Sequence, residues 1–371
     1  MLDQLTQQLA ASQSLSDEQV HAGVESLVDE AVAATAKAEF LSALARKGET
    51  IEEIAAFARA LRERSVMPPI DAAWRESCEV LDVCGTGGDQ LGTFNISTTV
   101  AIVCAAAGVA VAKHGNRAIT SQSGSADVLE ALDVRIDMPP REAAQSLRER
   151  HFAFFFAPNF HPTFKYIAPA RKLCAGRGQR TIFNFLGPLL NPARPTAQLI
   201  GVPKPEMCEP LARVLQSLGV RRGMVVCGSV LRVACCVEDQ GNSKPILDGT
   251  RNTQHADAQL DELSTLGPNT VAEFYQERGF AASTLDPDQF PLQPATLADL
   301  QGGDRSVNAE IIRRILRGDD RGPKRDAVLL NASAALFVAG QVRSMGEGWE
   351  RATAVIDEGR AFAKLLELAA G

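Results

Sequence analysis

The stretch from residue 79 to residue 113 constrains the fold of this chain more than any other. "EVLDVC" is a short apolar run, and a glycine-rich loop, "GTGGD", leaves its end. "STTVAIVCAAAG" is small and apolar, closes on Gly108, and suits a helix packed closely against a sheet. "VAVAK" is the next apolar run. Strand, glycine loop, helix, strand is the repeating ingredient of parallel sheets. "FAFFFA" (152–157), "AQLIGV" (197–202) and "GMVVCG" (223–228) predict further strands.

The first 66 residues have a different texture and read as helical throughout. Val20, Val24, Leu27 and Val28 share one face behind Ser16, a predicted N-cap. Gly48 closes the next helix, and Thr50 with Glu53 forms a predicted capping box for the one after. With 371 residues the chain is long for one core, so two lobes are expected. The fold class expected is α/β: a small all-helical domain, plus a large domain with a central, mostly parallel sheet flanked by helices.

Composition narrows the function classes. Net charge is −7 and no Lys/Arg block stands out, so a nucleic-acid-holding role is not expected. An anionic small molecule remains compatible, provided basic groups are concentrated locally. The eight cysteines form no C-x-x-C pair and read as buried thiols. No apolar run approaches the ~20 residues of a membrane helix. The opening residues lack a signal-peptide pattern, so a cytoplasmic protein without a membrane partner is expected.

Chemistry starts at the glycine loop. Gly85, Gly87 and Gly88 suit either a tight strand-to-helix turn or a phosphate cradle. The loop lacks the Lys-Ser/Thr end of a P-loop and the spacing of a dinucleotide fingerprint. Asn95, Ser97 and Thr98 stand where the next helix begins; one of them is expected to cap it, and together they resemble a lined anion pocket. The second strand runs into Lys113, His114, Asn116 and Arg117, followed by Thr120, Ser121, Ser123, Gly124 and Ser125. Both loops leave the carboxyl ends of strands, where parallel sheets place ligands.

The succession "GTGGD", "NIST", "KHGNR" and "SGSADVLEAL" resembles the anthranilate phosphoribosyltransferase family. The likeness continues through "FAPNFHPTFKYIAPAR", "RTIFNFLGPLLNPA", "LDELSTLGPNTVAEF" and "GGDRSVNAEIIRRILRGDDRGPKRDAVLLNASAAL", and covers roughly residues 17 to 365. It implies transfer of phosphoribose from 5-phosphoribosyl diphosphate to anthranilate. The donor pocket it implies comprises Gly85, Gly88, Asp89, Thr93, Asn95, Ile96, Ser97, Thr98, Lys113, His114, Gly115, Asn116, Arg117, Ser121 and Ser125. Magnesium, two ions per active site, is implied at Ser97, Asp261 and Glu262. Lys113, Asp261 and Glu262 are the implied catalytic residues, and Gly85, Asn116 and Arg171 the anthranilate contacts. An arginine is chemically suited to a benzoate carboxylate. The resemblance also implies a homodimer joined through the helical domain, residues 1–74 with 167–196, beside an α/β domain of residues 75–166 with 197–371.

Three departures from the family's pattern stand out. An insertion at about 229–259 precedes the acidic pair, and Gln259 stands where the family has glycine. Thr163 replaces a methionine, and "CAGRGQRT" is longer than the usual "LGxRT", which predicts a differently shaped acceptor side. A pyrimidine nucleoside phosphorylase would show a basic signature near "KxSGR", which is absent. A non-catalytic, nucleic-acid-binding relative would show a basic surface and a degraded donor site.

Overall fold

The computed structural model describes residues 1–118, 122–230, 258–276 and 278–371. Eight strands form one sheet: β1 (Val80–Gly85), β2 (Ala110–Gly115), β3 (Phe152–Phe156), β4 (Ala197–Gly201), β5 (Arg222–Val230), β6 (Ala258–Leu260), β7 (Asn269–Tyr275) and β8 (Gly279–Leu285). Their order is β3-β2-β1-β4-β5-β7-β8, with β6 paired to β5. The strands from β3 to β5 are all parallel, while β6, β7 and β8 join by antiparallel pairing. The sheet is therefore mixed and mostly parallel, and all five strand runs read from the sequence lie in it. In sequence, "KPIL" (244–247) in the polar, turn-rich stretch 238–259 reads as one further short strand; it lies outside the described residues.

Alternation along each strand decides which helices cover which face. Leu81, Val83, Val111, Phe154, Leu199 and Val226 face a core shared with the helices Ile96–Ala106, Ser125–Ala131, Arg305–Arg317, Pro323–Val338, Met345–Asp357 and Arg360–Ala369. The intervening residues point the other way. Val80, Ala112 and Phe155 meet Ala143 and Leu147 of Pro140–Arg150, while Ile200, Val225 and Phe274 belong to a second large core. That core continues into the helices Leu2–Ala10, Asp17–Val28, Ala34–Lys47 and Ile51–Arg62, and it takes in Ile167, Ala170, Cys174, Phe183, Leu186 and Leu190. The segment 167–190 thus packs with the N-terminal helices.

The predicted helix ends form for the expected reasons. Ser16 and Thr50 each accept from the backbone N–H three residues on, and Gln19 and Glu53 answer the N-cap backbone. Glu53 also accepts from Leu15 N–H at 2.9 Å and pairs with Lys47 at 2.7 Å, joining two helices. Among the described cysteines, Cys104, Cys174, Cys208 and Cys227 are buried, Cys78 and Cys84 are half-buried, and all are free thiols. No helix of the described residues is long and apolar enough to cross a membrane.

Candidate active site

The chain winds from β1 through β2 to β3 on one side, then returns to place β4 and β5 on the other. This reversal of strand order beside β1 opens a crevice at the carboxyl ends, the usual ligand position in such sheets. The glycine loop leaves β1 into that crevice. Gly87 and Gly88 take φ of +77° and +97°, which side-chain-bearing residues rarely adopt. Both are exposed, so the loop offers bare backbone. Thr93 bridges to Gln301, and Gly302 N–H donates to Gly92, which pins the loop's far end.

The helix Ile96–Ala106 starts beneath this loop with Asn95 at its N-cap position, yet no side chain caps it. The expected cap is absent because Asn95 is engaged elsewhere. It donates to Ser123 O at 3.2 Å and accepts from Asn308 at 2.9 Å. Thr98 is buried, and its hydroxyl has no hydrogen-bond partner. An open helix N-terminus beside an orphaned buried hydroxyl is suited to phosphate oxygens.

Lys113, within β2, is fully buried, donating to Val83 O at 2.7 Å and to Ser97 Oγ at 3.4 Å. Asp82, also fully buried, lies one strand away. Burial lifts its carboxyl to about 6, with Lys113 and the amide of Asn191 pulling it back down. Asn191 donates at 2.9 Å to Asp82 and at 2.7 Å to Ala112 O, lacing β1 to β2. The basic loop then folds onto the next helix. Ser125 Oγ lies against Gly115 and within 3.5 Å of Asn116 O, and Asp127 accepts from Ala118 and Gly124 N–H at 2.9 and 3.0 Å.

β6 delivers the acidic pair to the same crevice. Its antiparallel register sets Leu260 opposite Gly228, so Asp261 and Glu262 cross the carboxyl ends of the neighbouring strands. Glycine makes the crossing possible. A Cβ on Gly85 would strike the Asp261 carboxylate, one on Gly201 its backbone, and one on Gly228 would meet Glu262 O at 2.6 Å. Gly87 N–H donates to Asp261 at 2.6 Å, and Asn331 brackets Leu263 at 2.9 Å on both its N–H and its carbonyl. The insertion therefore leaves the pair at the sheet's end, and Gln259 accepts from Cys227 Sγ at 3.4 Å. The body of the insertion lies outside the described residues.

The electrostatics of the pair fit a hard cation. Burial raises Glu262 to about 7 against the pull of Lys113 and Ser97, with Asp89 pushing further up. Asp261 is held well above the carboxylate range by burial, Asp89 and Glu262. One oxygen of Asp89 is buried without a partner. Among the described residues, no three acidic, histidine or cysteine side chains form a closed cage. Crowded carboxylates without a cage suit magnesium, which is usually shared with substrate phosphates and water.

On the other side of the crevice, Arg171 is half-buried, stands 5.2 Å from the Phe183 ring centroid, and has its charge disfavoured by burial. Phe183 meets Phe164 edge-on at 5.7 Å, Phe164 stacks on His161 at 5.0 Å, and His161 meets His114 edge-on at 5.3 Å. Burial pushes His114 down to about 3 and His161 to about 4, so both rings are neutral at physiological pH.

The helical-bundle domain of a glycosyl transferase family matches residues 3–65, and the a/b domain of that family matches residues 77–234 and 253–362. The chain is 41% identical to the anthranilate phosphoribosyltransferase of Petrotoga mobilis, over 99% of this chain and 96% of that one. The corresponding figures for that of Lacticaseibacillus casei are 43%, 100% and 97%. The chain belongs to the anthranilate phosphoribosyltransferase family. A crystal structure of the Thermus thermophilus family member superposes with a TM-score of 0.82 at 38% identity, covering 99% of this chain and 98% of that one. The Saccharomyces cerevisiae enzyme in complex with 5-phosphoribosyl diphosphate and magnesium gives 0.80 at 25% identity, covering 99% and 96%.

Within this anthranilate phosphoribosyltransferase fold, Gly85, Gly88, Asp89, Thr93, Asn95, Ile96, Ser97, Thr98, Lys113, Gly115, Asn116, Ser125, Asp261 and Glu262 lie on the segments that converge at the carboxyl ends. Ser121 lies outside the described residues. Arg117 is turned away: its guanidinium pairs with Asp127 at 3.2 Å and Glu130 at 2.7 Å. The side of Gly85 where a side chain would stand is closed by Asp261. Sequence reading missed Asp82, His161, Asn191, Asn308 and Asn331. A signal existed for Asn331, because an amide inside the apolar helix run "LLNASAAL" needs partners.

Proposed function

We propose that this chain transfers the 5-phosphoribosyl group of 5-phosphoribosyl 1-diphosphate to the amino group of anthranilate. The products are N-(5-phosphoribosyl)anthranilate and diphosphate, and the transfer serves tryptophan biosynthesis. The observation that carries this reading is the convergence of four features on one crevice. These are the bare glycine loop, the uncapped helix with its orphaned Thr98 hydroxyl, buried Lys113, and the crowded pair Asp261–Glu262.

In this reading the Thr98 N–H and hydroxyl and the glycine-loop backbone hold donor oxygens, while the Ser97 N–H is taken by Glu262. Lys113 supplies a buried positive charge where the leaving diphosphate gains negative charge. Ser97, Asp261 and Glu262 would hold magnesium, two ions per site, which when bound neutralises diphosphate charge. Arg171 would pair the anthranilate carboxylate, with Asn116 and Gly85 bordering the ring and amine. The C1–O bond breaks with its electron pair leaving on diphosphate, the C1–N bond forms, and the amine releases one proton. A neutral arylamine is nucleophilic without a strong base, so positioning supplies most of the acceleration. We also propose a cytoplasmic homodimer joined through the helical lobe, supported by the family resemblance.

The test is the loss of anthranilate fluorescence on adding donor and magnesium. Turnover that needs all three components supports the reading. Donor binding by calorimetry without turnover of anthranilate, or no donor binding at all, would overturn it.

A further inference from the structure

Four successive backbone carbonyls at the end of the helix Phe183–Leu189 are capped by side chains from four separate parts of the chain. Gly187 O accepts from His114 on β2, and Pro188 O from Gln198 on β4 at 3.2 Å. Leu189 O accepts from Arg62 Nε at 2.5 Å, and Leu190 O from His161. Carbonyls at a helix end lack the regular intrahelical donor; Gly187 O keeps one backbone donor, the Leu190 N–H at 3.3 Å, beside the histidine. Asn191 follows at once and laces β1 to β2. The turn therefore joins the helical lobe, two central strands and the segment after β3.

These bonds fix which ring nitrogen of each histidine carries the proton. His114 Nε2 and His161 Nε2 are buried without partners, so the nitrogen that donates to the carbonyl is Nδ1 in both. Each ring is then a neutral Nδ1–H tautomer with an open acceptor at Nε2. The charges around His114 keep it so. Lys113 on its own strand, His161 from the segment after β3 and Arg62 from the helix Ile51–Arg62 all oppose a second proton. On β1, the Asp82 carboxylate is engaged with the backbone N–H of His114 at 3.5 Å.

Arg62 is nine-tenths buried, with Nη2 unpartnered and its other close charge being Arg194. A buried guanidinium without a carboxylate is costly. Its placement at a helix carboxyl end offsets part of that cost through the dipole.

We propose that Arg62 is a positioning residue for the acceptor side. By capping Leu189 it holds the 187–190 carbonyls where they lock His114 and His161 as neutral Nδ1–H tautomers. The two open Nε2 atoms are then matched to the N–H groups of a primary arylamine, a step that rests on the acceptor being anthranilate. The lock itself does not depend on that reading.

The test uses the full-length protein labelled with 15N-histidine and free of substrate. Long-range 1H–15N spectra are recorded between about pH 8 and pH 5, with His114→Gln and His161→Gln assigning the signals. Both rings should show the neutral Nδ1–H pattern and no titration in that window. An Nε2–H pattern, or a midpoint near about 6.5 for either ring, would overturn the lock. In Arg62→Met the ring 15N signals of His114 and His161 at about pH 8 should shift or broaden, because the turn whose carbonyls hold both rings has lost its cap at Leu189. The anthranilate KM should rise about fivefold or more, with the donor KM within about twofold, and Arg62→Lys should recover most of the loss. Unmoved histidine signals, or equal changes in both KM values, would overturn the role of Arg62. Should Arg62→Met fail to fold, Arg62→Lys and the wild-type spectrum decide by the same criteria. Absence of anthranilate turnover in the wild type would sink the functional reading and leave the spectra to judge the lock.

Discussion

The two walls of the crevice are built from opposite materials. The wall proposed to hold the donor, the donor wall, is backbone: glycines at 85, 87 and 88, an uncapped helix start, and an acidic segment laid across bare strand ends. The wall proposed to hold the acceptor, the acceptor wall, is side chain, a chain of rings from His114 through His161, Phe164 and Phe183 to Arg171. Electrostatically they also differ. Asp89, Asp261 and Glu262 repel one another and wait for cations, whereas both histidines are kept uncharged. In the proposed reading, the contrast teaches that a highly charged phosphate donor is met by fixed dipoles and shared metal, and a neutral amine by fixed tautomers.

The largest expected effect is on the acidic pair. Asp261→Ala with Glu262→Ala should cost on the order of 10³-fold or more in magnesium-dependent turnover, with circular dichroism unchanged. Unchanged turnover would remove the metal assignment. Next comes Gly201→Ala, which adds no charge and touches no substrate in this reading. Its Cβ would run into the Asp261 backbone and displace the pair. A displacement of that size is expected to cost about 10²-fold in turnover. A normal rate would show that the pair has room to move.

A smaller effect lies in stability against pH. Glu262, raised from an ordinary 4.5 to about 7, binds its proton more tightly in the folded chain than in the unfolded one. Asp82, raised to about 6, acts in the same direction. Without magnesium, the stabilisation from these protons is complete below the unfolded pKa and is lost as pH rises through about 6 for Asp82 and about 7 for Glu262, a swing on the order of 3 kcal/mol for each group. Magnesium should flatten that slope, because it replaces the proton as the partner of the carboxylate. Melting midpoints from about pH 5 to pH 8, with and without magnesium, measure this. A slope of the opposite sign would contradict the crowded-carboxylate picture.

The smallest effect is expected at Arg117. Its guanidinium is half-exposed and bound to Asp127 and Glu130, away from the donor wall. Arg117→Ala should leave the melting midpoint nearly unchanged and turnover within about twofold. A loss of donor affinity comparable to that of Lys113→Met would return Arg117 to the pocket.

Much of the donor wall was legible beforehand because it obeys local rules. The strand, the glycines and the helix start are contiguous in sequence, and backbone sterics tie them together. The acceptor wall was only half legible. Arg171 was named from motif likeness, but His161 and Phe164 carry no signal as single residues in a loop. The ion-pair partners of Arg117 were illegible for a related reason. A basic residue in a basic cluster gives no sign of which way it turns, and the acids that turned it, Asp127 and Glu130, lie on the following helix.

The sequence by itself determined the elements, their caps and the class of sheet, because hydrophobic period, capping chemistry and glycine dihedrals act within a few residues. It also placed the family through ordered motifs. Only the tertiary structure decided that Gly85, Gly201 and Gly228 clear one path for Asp261 and Glu262. Only there do Arg62, His114, His161 and Gln198 meet on one helix end. The physical reason is common to both. Burial, proton affinity and the satisfaction of a carbonyl depend on which groups surround an atom, and those neighbours come from distant parts of the chain.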